Sequence, residues 1–334
     1  WKILRPQDEI AIAPFADGGE GTLDCIESVT PESVRVPITV QGATGTEHES
    51  SWLLVGTDTA VIEMATLCGI TTVDQLDPMG AHSYGLGQAI KAALADERVN
   101  EILIAVGGSA STDAGIGALS ALGFRALDSR GHEIALGGGD LQRLVRIENP
   151  DGVRKPKRGI KVLVDVQSPL TGLNGAAHVY SPQKGADAAQ VEELDRGLTH
   201  FLSVLGVTDQ AGFGAAGGVA CGLAVLLGAS IVSGVATIAE LIGLREKIQA
   251  SDCVITGEGS FDDQSYRGKA VGYLLEIAHI CDRPVMIACG VNKNEKSEEI
   301  VSLLELAPNF ESAMTDSQKW LFECGKVLAT RFSR

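Results

Sequence analysis

Glu101-Ile102-Leu103-Ile104-Ala105-Val106, followed at once by Gly107-Gly108-Ser109-Ala110-Ser111-Thr112-Asp113-Ala114-Gly115-Ile116-Gly117, is the stretch on which the fold class turns. The apolar run reads as a strand buried on both faces, and the glycines and hydroxyls after it as a loop that enters a helix. The same theme recurs along the chain. Strands are expected at 9–14, 101–106, 160–166, 252–256 and 285–289, and helices at 23–29, 85–95, 115–122, 188–205, 219–227 and 270–280. Such alternation predicts an α/β fold built on a parallel sheet. Residues 34–64 depart from it. Apolar residues alternate in Val34-Arg35-Val36 and recur at 52–55, which predicts antiparallel strands in a separate small sheet. Residues 137–157, polar and rich in Gly and Pro, read as a surface excursion.

A chain of 334 residues exceeds the size at which one core stops growing, so two domains are expected. Scarce aromatics (4%) and abundant glycine (40 residues) suit an aliphatic α/β core with glycine-shaped turns at the strand ends. The net charge of −16 argues against a nucleic-acid partner, which needs clustered Lys and Arg. Cysteines at 25, 68, 221, 253, 281, 289 and 324 form no Cys-x-x-Cys pair and no zinc spacing, which predicts reduced thiols in a cytoplasmic protein. The start, Trp1-Lys2-Ile3-Leu4, has no initiator Met and no signal-peptide pattern. Residues 211–239 carry no charge, but repeated glycines and the absence of basic flanks predict a buried helix and no membrane partner.

In open α/β sheets ligands sit beyond the carboxyl ends of the strands, so the polar residues there are the candidates for chemistry. In Ala16-Asp17-Gly18-Gly19-Glu20-Gly21-Thr22, Asp17 and Glu20 can approach one ligand to hold Mg²⁺ or accept a hydroxyl proton. Equally, they serve a turn and a helix N-terminus. Gly107, Gly108, Ser109 and Asp113 lie in a stretch suited to an anion nest, against which stands plain helix packing. Ser120 breaks the dinucleotide fingerprint that begins at Gly115, which disfavours a nicotinamide oxidoreductase. Asp165 closes an apolar run, where a carboxylate needs a partner. Lys184, alone between Lys161 and Arg196, suits a phosphate oxygen or a solvated surface. Gly217 and Gly218 offer close backbone approach to a ligand or simple packing. Glu258, Asp262 and Gln264 follow another apolar run, in a loop that is not a Walker A motif because Asp263 and Ala270 stand at required positions.

Ordered along nearly the whole chain, residues 16–22, Ile62-Glu63-Met64-Ala65, 107–113, 183–186, 214–218 and 255–264 closely resemble the bacterial two-domain glycerate kinase family. The resemblance implies ATP-dependent phosphorylation of D-glycerate to 2-phosphoglycerate with Mg²⁺. It also implies a Rossmann-like domain and a second mixed α/β domain with the active site in the cleft between them. The division expected is 1–40 with 245–334, the N-terminal strand missing, against 41–244. In this reading Asp165 or Asp17 takes the hydroxyl proton or holds Mg²⁺, and Lys184 contacts phosphate or the glycerate carboxylate. The 107–113 loop and Gly217-Gly218 cradle the nucleotide, while Glu20, Glu63, Glu258, Asp262 and Gln264 wall the site. A homo-oligomer stays open.

Two departures from the family pattern set the rival readings. Gln167 and Ser168 stand where it usually has Asp and Asn, and no Ser-Phe-Lys-Gly segment precedes Trp1. The rivals are a kinase for another small hydroxy acid and an inactive ligand-binding relative.

Overall fold

The quoted run forms a strand, residues 101–105, with four of its five residues buried, at the middle of a six-stranded sheet. The computed structural model describes residues 1–334 apart from 264, 267–269, 295–296, 298 and 333–334. The chain divides into two units, residues 16–237 and residues 1–15 with 238–334.

The larger unit runs α1 Thr22–Val29, β1 Val34–Gln41, β2 Glu47–Val55, β3 Thr59–Glu63, α2 Met64–Cys68, α3 Tyr84–Ala95, β4 Glu101–Ala105, α4 Ile116–Ala121, β5 Arg125–Leu127, β6 Arg146–Glu148, β7 Ile160–Leu163, α5 Ala176–Tyr180, α6 Ala188–Leu205, α7 Val219–Gly222, β8 Ser230–Val232 and the start of α8 Gly234–Leu241. Its main sheet has the order β1-β2-β3-β4-β7-β8. β1 and β2 are antiparallel, and β3, β4, β7 and β8 are parallel in register Ile62↔Ile104, Ile104↔Val162 and Val162↔Ile231. Because successive side chains alternate faces, Ile62, Ile104 and Val162 line one side and meet Leu86 and Ile90 of α3, Leu119 of α4 and Val219 of α7 in one core. α1 packs against β2 and β3, burying Leu23 and Ile26. A second core gathers around Leu194, Leu198 and Phe201 of α6. That helix starts on a capping box between Asp187 and Gln190 and stops at Gly206 in the left-handed conformation.

The smaller unit comprises the rest of α8, then α9 Leu244–Gln249, β9 Val254–Phe261, α10 Ala270–Ile280, β10 Val285–Asn292, β11 Ile300–Ser302, α11 Leu303–Leu306, α12 Phe310–Thr315 and α13 Ser317–Arg331. Its strands form a parallel sheet in the order β11-β10-β9. Both chain ends meet in it, since the Arg5 guanidinium donates to the Phe332 carbonyl at 3.0 Å and Trp1 stacks obliquely on the Phe332 ring.

Four expectations need correction. Residues 34–64 do not make a separate sheet: β2 pairs with β3 through Leu53↔Val61, and β3, buried at every residue, joins β4 as a parallel neighbour. No strand forms at 9–14, where Ile10 and Ile12 stay exposed and no described strand pairs. The division falls at 15/16 and 237/238 rather than at 40/41 and 244/245, because 16–40 is tied to the main sheet through α1 and β1. The uncharged segment is not one helix but holds α7, one π-helical turn, β8 and most of α8, and no helix among the described residues is long and apolar enough to cross a membrane.

Candidate active site

Since β4 and β7 are adjacent and parallel, the residues that follow them, Gly107 to Ser109 and Asp165, emerge side by side at the carboxyl edge of the sheet. There they line a cavity of about 440 Å³ together with Asp17, Gly18, Gly19, Tyr180, Gln183, Lys184, Ala215 and Ala216. Glycine at 107 is a requirement of close packing. A Cβ there would stand 2.5 Å from the Gly19 Cα, so only glycine lets the loop after β4 touch the loop that carries Asp17. The Gly107 amide donates to the Gly18 carbonyl at 3.0 Å and fixes that contact. The amides of Gly108 and Ser109 meet no acceptor among the described residues.

Asp165 is half-buried and sits at the N-terminus of α8. Its Oδ1 accepts from Ser233 Oγ at 2.8 Å and the Gly234 amide at 3.1 Å, and its Oδ2 from the Val235 amide at 2.9 Å. Burial raises the carboxyl pKa above the ordinary aspartate value, these hydrogen bonds oppose the shift, and the neighbouring charge of Asp17 reinforces it. Asp17 is exposed and among the described residues accepts only from the Gly19 amide, at 3.3 Å, so it is the freer of the two carboxylates.

Lys184 is 3% exposed, on the turn after α5. Its ammonium donates to Ser109 Oγ at 2.9 Å and to the Ser111 carbonyl, and no carboxylate lies within ion-pair distance among the described residues. Burial pushes its pKa down to about 8, against the raising influence of Asp113.

The remaining expected site residues fall elsewhere. Asp113 is fully buried and not among the residues that line the cavity: it accepts from the Ser83 amide and hydroxyl and from the amides of Gly115 and Gly117, so it ties the loop to the starts of α3 and α4. Glu63 is likewise fully buried and accepts from the amides of Gly21 and Leu23 at 3.0 and 2.8 Å, capping α1 instead of walling a ligand. Glu20 is exposed outside the cavity lining. Gly217 and Gly218 do not line it either. Gly217 has φ +65° and would place a Cβ 2.2 Å from the Ser111 carbonyl, so its glycine serves backbone packing, and the neighbouring Ala215 and Ala216 form the wall. Glu258 and Asp262 lie in the smaller unit, on and just after β9, and are not among the residues that line this cavity; Gln264 lies outside the described residues.

Sequence reasoning passed over Ser83 and Ser233, which hold Asp113 and Asp165, and over Tyr180. For Ser233 a signal existed, since a serine just ahead of an apolar run is a helix-start pattern. The contact of Ser83 with residue 113 leaves no local trace.

Burial also shifts Glu63 upward, overriding its two amide hydrogen bonds. Between the ordinary glutamate value and the raised one the folded state binds more protons than the unfolded chain, so this group's contribution to stability falls as pH rises through that window. Glu63→Gln removes that slope and, by setting an amide NH₂ against backbone donors, is expected to cost about 1–3 kcal/mol. Urea unfolding of both proteins across the acidic range measures it, and parallel stability curves would count against the assignment.

The glycerate kinase family model matches residues 1–333. Glycerate 2-kinase of Escherichia coli K12 is 38% identical over 301 residues, covering 87% of this chain and 78% of that one. Glycerate kinase of Bacillus subtilis 168 is 37% identical over 347 residues, covering 98% and 90%. A crystal structure of a Salmonella typhimurium LT2 protein assigned as glycerate kinase 2 superposes with a TM-score of 0.76 at 33% identity, covering 97% of this chain and 92% of that one.

Proposed function

The chain belongs to the glycerate kinase family, and on that premise we propose that it transfers the terminal phosphoryl group of ATP to the 2-hydroxyl of D-glycerate, giving 2-phosphoglycerate and ADP. The observation that carries the reading is the meeting of Asp17, Asp165 and Lys184 on one cavity at the carboxyl ends of β4 and β7. Phosphoryl transfer asks a protein mainly to position reactants and balance charge. Asp165 takes the proton of the attacking hydroxyl, because a carboxyl with a raised pKa is the stronger base and its Oδ2 accepts only one hydrogen bond. The hydroxyl oxygen bonds to the terminal phosphorus as the bond to the bridging oxygen of ADP breaks. The unpaired amides of Gly108 and Ser109 suit phosphate oxygens, and Lys184 meets either phosphate or the acid's carboxylate.

The residues present fit Mg²⁺. No cluster of three or more candidate ligands occurs among the described residues, but Mg²⁺ is commonly held by one or two carboxylates plus nucleotide oxygens, and Asp17, the freer carboxylate, offers one while Asp165 serves as base. Bound there, the ion would supply positive charge to the phosphates. Gln167 and Ser168, the departures from the family pattern, do not line the cavity: Gln167 is exposed, and Ser168 Oγ pairs with the Tyr180 hydroxyl at 3.0 Å. That weighs against an inactive relative.

A coupled ADP-release assay tests the reading, with D-glycerate, L-glycerate, glycolate and tartronate as acceptors and phosphorus NMR of the product. ADP formation highest in kcat/KM for D-glycerate, with 2-phosphoglycerate formed, is expected. ATP binding without turnover of any hydroxy acid would reverse it.

A further inference from the structure

We infer that Lys184 is the subsite for the carboxylate of the acceptor acid, so that the enzyme tells hydroxy acids from neutral polyols at a buried ammonium. The inference rests on the kinase reading and deepens it.

Three charged side chains line the cavity, the carboxylates of Asp17 and Asp165 and the ammonium of Lys184. Among the described residues, an acid bound there has one place where its carboxylate meets positive charge on the cavity lining. With the carboxylate on Lys184, the hydroxyls are left to the two aspartates, donors facing acceptors. With phosphate on Lys184, the acid's carboxylate is left in the cavity with two carboxylates and no other cation among the described residues that line it, an arrangement of the wrong sign.

The surroundings of Lys184 favour a small anion. A buried ammonium without an ion pair is costly, and among the described residues this one donates only to neutral oxygens, of Ser109 and Ser111. Asp113 acts on it electrostatically, but both Asp113 oxygens are taken up by Ser83, Gly115 and Gly117. In the same loop the hydroxyls of Ser111 and Thr112, 0% and 1% exposed, have no hydrogen-bond partner among the described residues. Two of the three ammonium donors are engaged, so one remains, enough for a carboxylate oxygen.

Steady-state kinetics of Lys184→Met, with D-glycerate and MgATP varied separately, tests the assignment. KM for D-glycerate is expected to rise about 10- to 100-fold, the loss of one charged hydrogen bond, while KM for ATP moves less than about 3-fold. The preference for D-glycerate over glycerol in kcat/KM should fall by a similar factor. A rise in KM for ATP with KM for D-glycerate unchanged overturns the inference and leaves the kinase reading standing; a wild type that forms no ADP with D-glycerate overturns that reading instead.

Should the variant not fold, the wild type decides. With the free lysine near its pKa of about 8, binding a carboxylate above that pH must draw a proton from the buffer. Calorimetric titration of D-glycerate without nucleotide, in buffers of different ionisation enthalpy, reads that uptake. None at alkaline pH overturns the assignment.

Discussion

Asp165→Asn is expected to lower kcat by about 10²- to 10⁴-fold, the range for loss of a positioned general base. The substitution separates two duties of one side chain. Asparagine keeps an oxygen for Ser233 Oγ and the Gly234 amide, so the start of α8 stays capped, but it loses the charge and the acceptor of the Val235 amide. Stability should therefore fall by no more than about 1 kcal/mol, at the low end of cap losses. Asp165→Ala gives up every acceptor and should cost about 0.5–2 kcal/mol on top of the rate loss. The pH profile carries a further signature. A base must be ionised to act, and burial holds Asp165 above the ordinary aspartate range, so wild-type activity should decline on the acid side through that raised pKa. That limb should vanish in the asparagine variant. ADP release and urea unfolding on the same preparations measure both effects, and an unchanged kcat removes Asp165 from the role of base.

β4 and β7, whose carboxyl ends underlie the cavity, were legible because their signals are local, whereas β8 and α8, beside which Asp165 is held, were not expected. The apolar run at 101–106 has no alternation to suggest a solvated face, and four of the five residues of the strand it forms are buried. The helix at 188–205 carries its own cap residues. The small-sheet expectation for 34–64 failed for a related reason. The alternation of β1 and β2 was read correctly as antiparallel, but the run Thr59–Glu63 continues the sheet into its parallel half, and which strand lies beside which is not a local property.

The site was read with the same limit. An acidic residue in a glycine-rich loop gives one local signal whether it faces a ligand or gathers backbone amides. Asp17 and Asp165 line the cavity, while Asp113 and Glu63 answer to Ser83 and Gly21, 30 and 42 residues away. The glycines divide similarly: Gly107 borders the cavity, whereas Gly217 is needed because the Ser111 carbonyl leaves no room for a Cβ. Only the paired strands decide between such cases.

Asp113→Ala is expected to destabilise the fold by about 3–5 kcal/mol, as several buried donors losing one charged acceptor together should. The wild-type carboxylate collects four hydrogen bonds with no exposed surface, and its removal leaves the amides of Ser83, Gly115 and Gly117 without an acceptor inside the core. Asp113→Asn should also be costly, because an amide NH₂ would then face backbone donors in a site whose every partner is a donor. The effect should reach Lys184. Asp113 raises the lysine pKa against the pull of burial, so without that charge the ammonium should give up its proton below its present value of about 8. Variants that still fold should show the rise in KM for D-glycerate at lower pH than the wild type, with the ATP dependence unmoved. Urea unfolding supplies the stability difference and KM against pH the displacement. A stability loss under about 1 kcal/mol would mean that the Asp113 hydrogen bonds count for little more than one ordinary bond. The loop that ends β4 would then owe its shape to its glycines alone.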